Sequence, residues 1–184
     1  LTRIQEKKDS IDILDPDALK QLHFLEAAKL GNEAVLNYSN RLADKCEEEA
    51  GKTDDPEYKK ELMELAEICR YVPFHPARTF QEAVQSIFMV LLAVHMESNG
   101  HAISLGRFDQ YVYPLYKKDI EEGRITKEKA LEIIECFFIK CNELNKLRSW
   151  PDTEFFMGYQ MFINLAICGQ TVEGKDATND ISRM

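Results

Sequence analysis

Residues 83–96 read AVQSIFMVLLAVHM, about four helical turns almost without a polar face. A helix that is apolar on nearly all sides belongs in a core, because no orientation at a surface keeps its side chains out of water. The rest of the chain must therefore supply the cover, and its 184 residues suffice for one domain with a sizeable core. Directly behind the run the composition reverses. Glu97, Asn99, His101, Ser104, Arg107, Asp109 and Gln110 follow, with Gly100 and Gly106 between them. Polar groups delivered at the end of a buried element have to bond each other, the backbone or a ligand. A rigid helix that hands over to such a segment is one way of presenting a site.

Helix punctuation frames the run. Asp15-Pro16 reads as a cap followed by proline at the first helical position, with Leu19, Leu22 and Leu25, then Val35, Tyr38, Leu42 and Cys46, at helical spacing. Gly31-Asn32 is a point where that helix could break. Asp55-Pro56 repeats the start signal for a stripe of Tyr58, Leu62, Leu65 and Cys69, and Pro73 and Pro76 lie past its end. Thr79-Phe-Gln-Glu82 is a capping box that opens the apolar helix. Thr126 caps a further helix over about 127–147, with Leu131, Ile134, Phe138, Cys141 and Leu144 on one side. Beyond Trp150-Pro151 the pattern changes, and MFINLAIC at 161–168 predicts a buried strand, its continuous apolarity suiting a sheet covered on both faces. A turn at Val172-Glu-Gly-Lys175 and a helix start at Asp176-Ala-Thr-Asn-Asp180 come next. The fold class expected is therefore α/β and strongly helix-rich, with one strand at 161–168.

Bulk properties narrow the partners. A net charge of −9 disfavours nucleic acid or an anionic membrane. The longest apolar run, Ile87–Val94, is far short of the roughly 20 residues that cross a bilayer. The chain begins at Leu1 with neither an initiator Met nor an apolar leader, and its last helix signal is followed at once by Met184, so a piece of a larger protein is expected. Five cysteines, odd in number and without a CxxC pair, indicate neither a disulfide framework nor a zinc module; a reduced, cytoplasmic compartment is the expectation.

Each chemical candidate has a structural alternative. His101, in a Gly-flanked loop, suits a general acid/base or a hydrogen bond to substrate, and equally a loop histidine bonded to backbone. Arg107 and Asp109 read first as an ion pair fixing the loop, and second as ligands for an anion and a hydroxyl. Glu97 reads as a helix-end carboxylate and His95 as a core histidine. His23 and His75 lack the neighbours of a metal ligand, and no HExxH or CxxC set occurs. Cys168, at the end of the expected strand, is more simply a structural thiol than a nucleophile. Phe155, Phe156 and Tyr159 could wall a pocket or cover the end of a sheet or barrel.

An ordered set of segments resembles the glycyl radical enzymes, the pyruvate formate-lyase superfamily. These are Cys69-Arg-Tyr-Val-Pro73, Pro76-Ala-Arg-Thr-Phe-Gln-Glu-Ala83, Glu97-Ser-Asn-Gly-His101, Ser104-Leu-Gly-Arg-Phe-Asp-Gln-Tyr111 with Tyr113-Pro114, Asn145-Lys-Leu-Arg148, Gly158-Tyr159 and Gly174-Lys-Asp-Ala-Thr-Asn179. The likeness runs from about Ala27 to the end and is nearest the dehydratase and lyase branch, with its glycerol/propanediol dehydratases and choline trimethylamine-lyase. It implies that residues 1–184 are part of a single pyruvate formate-lyase-like domain, truncated on its C-terminal side, within a barrel of two half-barrels surrounded by helices.

The resemblance also implies a reaction: elimination of water or an amine from a small polar substrate after hydrogen abstraction by a thiyl radical. In the family a separate iron–sulfur activase that uses S-adenosylmethionine installs the radical on a backbone glycine. The cysteine that receives it stands in a Gly-Cys-X-Glu motif, and the glycine in an Arg-Val-X-Gly-Tyr motif. Neither motif occurs here, and Cys168-Gly169-Gln170 is not the first of them, so this chain is expected to be inactive alone and to bind no cofactor or metal itself. Residue by residue, the resemblance makes His101 the contact to a substrate hydroxyl and Tyr159 a wall of the pocket. Ala102 stands where the diol dehydratases carry a serine, which removes a hydroxyl donor. The implied partners are the small-molecule substrate, the radical-activating enzyme and a second copy of the full-length enzyme. Two other readings stay open: a formate acetyltransferase of the pyruvate formate-lyase type, and a non-catalytic helical interaction module.

Overall fold

The computed structural model describes residues 1–98, 102–144, 149–155 and 163–184, which fall into two compact units, Leu1–Arg70 and Tyr71–Met184. In the first, α1 (Thr2–Asp9) is followed by α2 (Ala18–Ala50) and α3 (Pro56–Tyr71), the last reaching one residue past the unit. The expected start of α2 is displaced by two residues. The Asp15 carboxylate accepts the Asp17 N–H at 2.8 Å in a local turn, and the helix begins at Ala18 with Asp17 as its N-cap. Gly31-Asn32 does not break it. The Asn32 side chain folds back onto the Ala28 carbonyl at 2.7 Å, and the flanking good helix formers carry the glycine. α3 starts where the sequence indicates, with Asp55 Oδ1 accepting the N–H groups of Glu57 and Tyr58 at 2.9 and 3.3 Å.

The buried side chains of this unit are all small: Ala18, Ser39, Ala43, Ala50, Ala66 and Cys69. Ser39 Oγ donates to the Cys69 carbonyl at 2.6 Å, and Arg70 reaches Asp44 and Glu47. Of the expected α3 stripe only Cys69 is buried; Leu62 and Leu65 are half-buried and Tyr58 is exposed. Small residues make the contact, so the larger ones lie at its margin.

The second unit holds α4 (Phe80–Ser98), β1 (Ser104–Arg107), α5 (Phe108–Glu121), α6 (Lys127–Glu143), α7 (Trp150–Phe155), β2 (Asn164–Ala166) and α8 (Asp180–Arg183). Thr79 Oγ1 accepts the Glu82 N–H at 3.2 Å, while the Glu82 carboxylate reaches back to the Arg78 N–H at 2.7 Å and to the Arg78 guanidinium. A second cap comes from a distant helix: buried Asp119 of α5 accepts the Phe80 N–H at 2.7 Å. Behind these caps Phe80, Val84 and Leu91 of α4 meet Phe108, Val112 and Tyr116 of α5, together with Ile134 and Phe137 of α6. Phe108 and Phe137 stack at 5.4 Å, and Phe80 meets Tyr116 edge-on at 5.7 Å. The aromatic geometry adds directional attraction to the area buried.

Three expectations are corrected here. Within this chain α4 is not buried all round: Val90, Val94 and Met96 are 48%, 42% and 60% exposed, because α5 and α6 are the described helices that cover it. α6 is capped by Thr126, which accepts the Lys129 N–H at 3.2 Å, but its buried stripe is Ala130, Ile134, Phe137 and Cys141. Phe138 is exposed and Leu131 half-buried, one step round the helix from the expected face, and the helix ends at Glu143. Finally, the strand expected at 161–168 is three residues, Asn164–Ala166, with 161 and 162 outside the described residues.

β2 pairs in parallel with β1 in a two-stranded sheet, Ser104 opposite Asn164 and Arg107 opposite Ala166, with the register irregular between. Within this chain Leu165 is half-buried while Asn164 and Ala166 are exposed. Ile167 and Cys168 leave the strand, and Cys168 adopts a left-handed backbone with φ +62°. β1 and α5 have no counterpart in the sequence reading: polar Ser104 and Arg107 and left-handed Gly106 hide a strand, and Pro114 lies inside the helix.

Candidate functional site

The polar run behind α4 divides into two parts. In the first, Glu97 lies exposed in the last turn of α4. Asn99, Gly100 and His101 lie outside the described residues, as do Phe156 and Tyr159; Phe155 is exposed on α7. The next described segments after them are the two strands. The Ile103 carbonyl accepts the Asn164 N–H at 3.3 Å, which begins the parallel pairing. His101 thus precedes by two residues, and Tyr159 by four, the described residues Ile103 and Ile163 that lead into two neighbouring strands. Ala102, immediately after His101, is left-handed at φ +57°. A Cβ-bearing residue there costs about 1–2 kcal/mol, so the chain holds this bend against a local preference.

The second part, Arg107 to Gln110, faces the chain itself. Arg107 and Asp109 do not pair with each other; both grip the stretch after β2. The Arg107 guanidinium donates to the carbonyls of Cys168 and Gln170 at 2.9 and 3.1 Å. Asp109 is fully buried, and its Oδ2 accepts the Cys168 N–H at 2.7 Å, the Gln110 amide at 3.0 Å and the Ser182 hydroxyl. Burial pushes this carboxyl up, but hydrogen bonds from Ser182, Cys168 and Gln110 and the charge of Arg107 together hold it below the ordinary aspartate range. Its Oδ1 has no hydrogen-bond partner among the described residues.

The Gln110 amide also donates to the Ala177 carbonyl at 2.7 Å, and the Asn179 amide to the Asp109 carbonyl at 3.0 Å. Gly169 completes the fit. It is left-handed at φ +88°, and a Cβ on it would stand 3.4 Å from Arg107 Nη2. These groups are therefore committed to the scaffold, which leaves Glu97–His101 and the exposed Ser104 of the polar run as candidates for a ligand. Nothing in the sequence marks the partners, which lie about 60 to 70 residues downstream.

Beside the sheet, Leu105, Phe137, Phe138, Cys141, Ile163 and Leu165 line a groove of about 440 Å³. Burial pushes the Cys141 thiol up to about 11, and burial with the nearby Cys46 does the same for Cys69, so both stay protonated near neutrality. Cys168 is half-buried, and His95 is buried within α4. His75 is exposed and lies against Tyr71 and Phe74, with ring centroids 4.8 Å from each. Among the described residues no cluster of His, Cys, Asp or Glu could hold a metal, and no helix is long and apolar enough to cross a membrane.

The family description pyruvate formate lyase-like matches residues 1–184. Isethionate sulfite-lyase of Nitratidesulfovibrio vulgaris is 40% identical over 184 residues, 97% of this chain and 22% of that protein. The B12-independent glycerol dehydratase of Clostridium butyricum, solved with glycerol bound, superposes with a TM-score of 0.92 at 42% identity, over 98% of this chain and 23% of that one. A glycyl radical enzyme of Archaeoglobus fulgidus gives 0.87 at 39% identity, over 99% and 23%. The chain thus spans about a fifth of the length of the relatives it matches.

Proposed function

Because the chain belongs to the pyruvate formate lyase-like family, we propose that residues 1–184 are part of a single catalytic domain of a glycyl radical lyase or dehydratase. The match over the whole chain carries this reading. The substrate is a small polar molecule with a hydroxyl next to the bond that breaks, and the leaving group is water, an amine or sulfite. His101 binds that hydroxyl and Tyr159 walls the pocket. Their positions ahead of two paired strands support the assignment, since neighbouring parallel strands carry the segments before them toward one end of a sheet. Ala102 supplies no side-chain donor, which favours a substrate other than glycerol or 1,2-propanediol.

In such enzymes the glycyl radical is the source of the cysteine thiyl radical that abstracts hydrogen from the substrate. None of the eight glycines here stands in an Arg-Val-X-Gly-Tyr sequence, so the radical is assigned elsewhere in the polypeptide. Partners on this reading are an activase that uses S-adenosylmethionine and a second copy of the full enzyme, in the cytoplasm. This chain's own groups bind, orient and exclude water.

The test is anaerobic activation of the polypeptide that carries this chain, followed by electron paramagnetic resonance and product analysis with isethionate, glycerol, 1,2-propanediol and choline. The expected result is a glycyl radical signal and turnover of one of these or a close analogue. His101→Ala keeps the radical and lowers kcat/KM by about 100-fold or more. No radical under conditions that activate a known relative would sink the reading; full turnover by His101→Ala would remove His101 from it.

A further inference from the structure

Arg107, Asp109 and Gln110 direct their hydrogen bonds to one distant stretch, residues 168–182. That stretch closes on itself without them. The Thr171 N–H donates to the Lys175 carbonyl at 2.8 Å and the Ala177 N–H to the Gly169 carbonyl at 3.0 Å, around an antiparallel bridge between Gln170 and Asp176. Its end is a capping box: Asn179 Oδ1 accepts from Ile181 and Ser182, and Ser182 Oγ accepts the Asn179 N–H at 3.0 Å. Only Ala177 and Ile181 of the stretch are buried.

We propose that residues 168–182 form a latched strap, fastened by Arg107, Asp109 and Gln110 and able to release as a unit while the core around Phe108 stays folded. Three observations carry this. The strap's internal hydrogen bonds survive release, because none of them needs the clasp. Its buried apolar side chains are Ala177 and Ile181, of which Ile181 alone joins the core cluster; every other buried member of that cluster comes from α4, α5 and α6. The closed state also carries opposing terms: Cys168 is held left-handed, although it bears a Cβ, and Asp109 Oδ1 is buried without a partner among the described residues. Segments with few buried apolar contacts open at lower free energy than the core they lie on. Such release is independent of which reaction the protein performs.

Hydrogen–deuterium exchange on the full chain tests it, comparing wild type with Asp109→Asn and Arg107→Ala. Asp109→Asn is expected to speed exchange across 168–182 by about tenfold or more, with less than about twofold change in α4 and α6. Arg107 is exposed, so its alanine variant folds regardless of the first; it is expected to speed exchange over 168–171 by about threefold. If Asp109→Asn does not fold, Arg107→Ala alone decides. Unchanged exchange in the strap, or equal acceleration of strap and helices, overturns the proposal.

Discussion

Asp119 is a buried carboxylate with two tasks. It accepts the Phe80 N–H at the start of α4, and it takes the Arg124 guanidinium through Nε at 2.8 Å and Nη2 at 2.6 Å. The two tasks differ in weight. Arg124 is partly exposed, so water can enter where its guanidinium stood and serve the buried Asp119 Oδ1. Phe80 is fully buried, so its N–H has no such substitute. Asp119→Ala is therefore expected to cost about 1–3 kcal/mol, the penalty of a buried donor left without an acceptor. Arg124→Ala removes the ion pair alone and is expected to cost about 1 kcal/mol less than Asp119→Ala, since the Phe80 cap stays in place. Urea unfolding of both variants checks this, and equal losses would show that the ion pair, not the cap, is the stabilising contact. Asp119 illustrates what a sequence withholds: the local box at Thr79–Glu82 is legible because its partners lie within four residues, and this cap is not, because its partner is 39 residues away.

The same distinction runs through the elements. α3, α4 and α6 were legible because each start carries its own cap, and the start signal at 176–180 marked α8, which Asn179 caps. β1, α5 and the true extent of β2 were not. A parallel pair draws its hydrogen bonds from a strand about 60 residues off, so neither strand needs a long apolar run of its own. Half of the candidate site was hidden for that reason: Arg107 and Asp109 could be named as polar and constrained, but only their downstream partners identify them as a clasp. His101 and Tyr159 are candidates through their surroundings in the sequence and then through the resemblance, and both lie outside the described residues.

Two of the polar contacts make the second unit sensitive to acid. Burial raises the Glu82 carboxyl, yet its bonds to Arg78 and to backbone hold it below the ordinary 4.5, and Asp109 is likewise held below 3.8. A carboxyl depressed on folding contributes stability that is complete above its unfolded value and lost as pH falls through its folded value. Stability is therefore expected to decline from about pH 4.5 downward, and the decline to be shallower in Glu82→Gln and in Asp109→Asn. Urea midpoints measured from neutral to acid pH read this directly; parallel curves for wild type and both variants would show that the acid response lies elsewhere.

For the whole molecule, two opposing surface properties set its behaviour in solution. The net charge of −9 keeps copies apart over a distance that salt shortens. Against it stands the uncovered side of α4, where Val90 and Val94 fall one turn apart. Each half-exposed side chain would gain on the order of 1 kcal/mol by leaving water, at roughly 25 cal/mol per Å² of apolar area. Repulsion is screened by salt and apolar burial is not, so raising ionic strength tips the balance toward association. The isolated chain is expected to sediment as oligomers whose share grows from low to high salt. Val90→Glu with Val94→Glu places two charges on that face without touching the Phe80–Phe108–Phe137 core, so it is expected to restore the monomer at both salts while leaving the urea midpoint nearly unchanged. A wild-type chain that sediments as a monomer at every salt concentration would mean this face is too small or too curved to bind. Oligomers that persist in the double variant would shift the contact to the groove between α6 and the sheet.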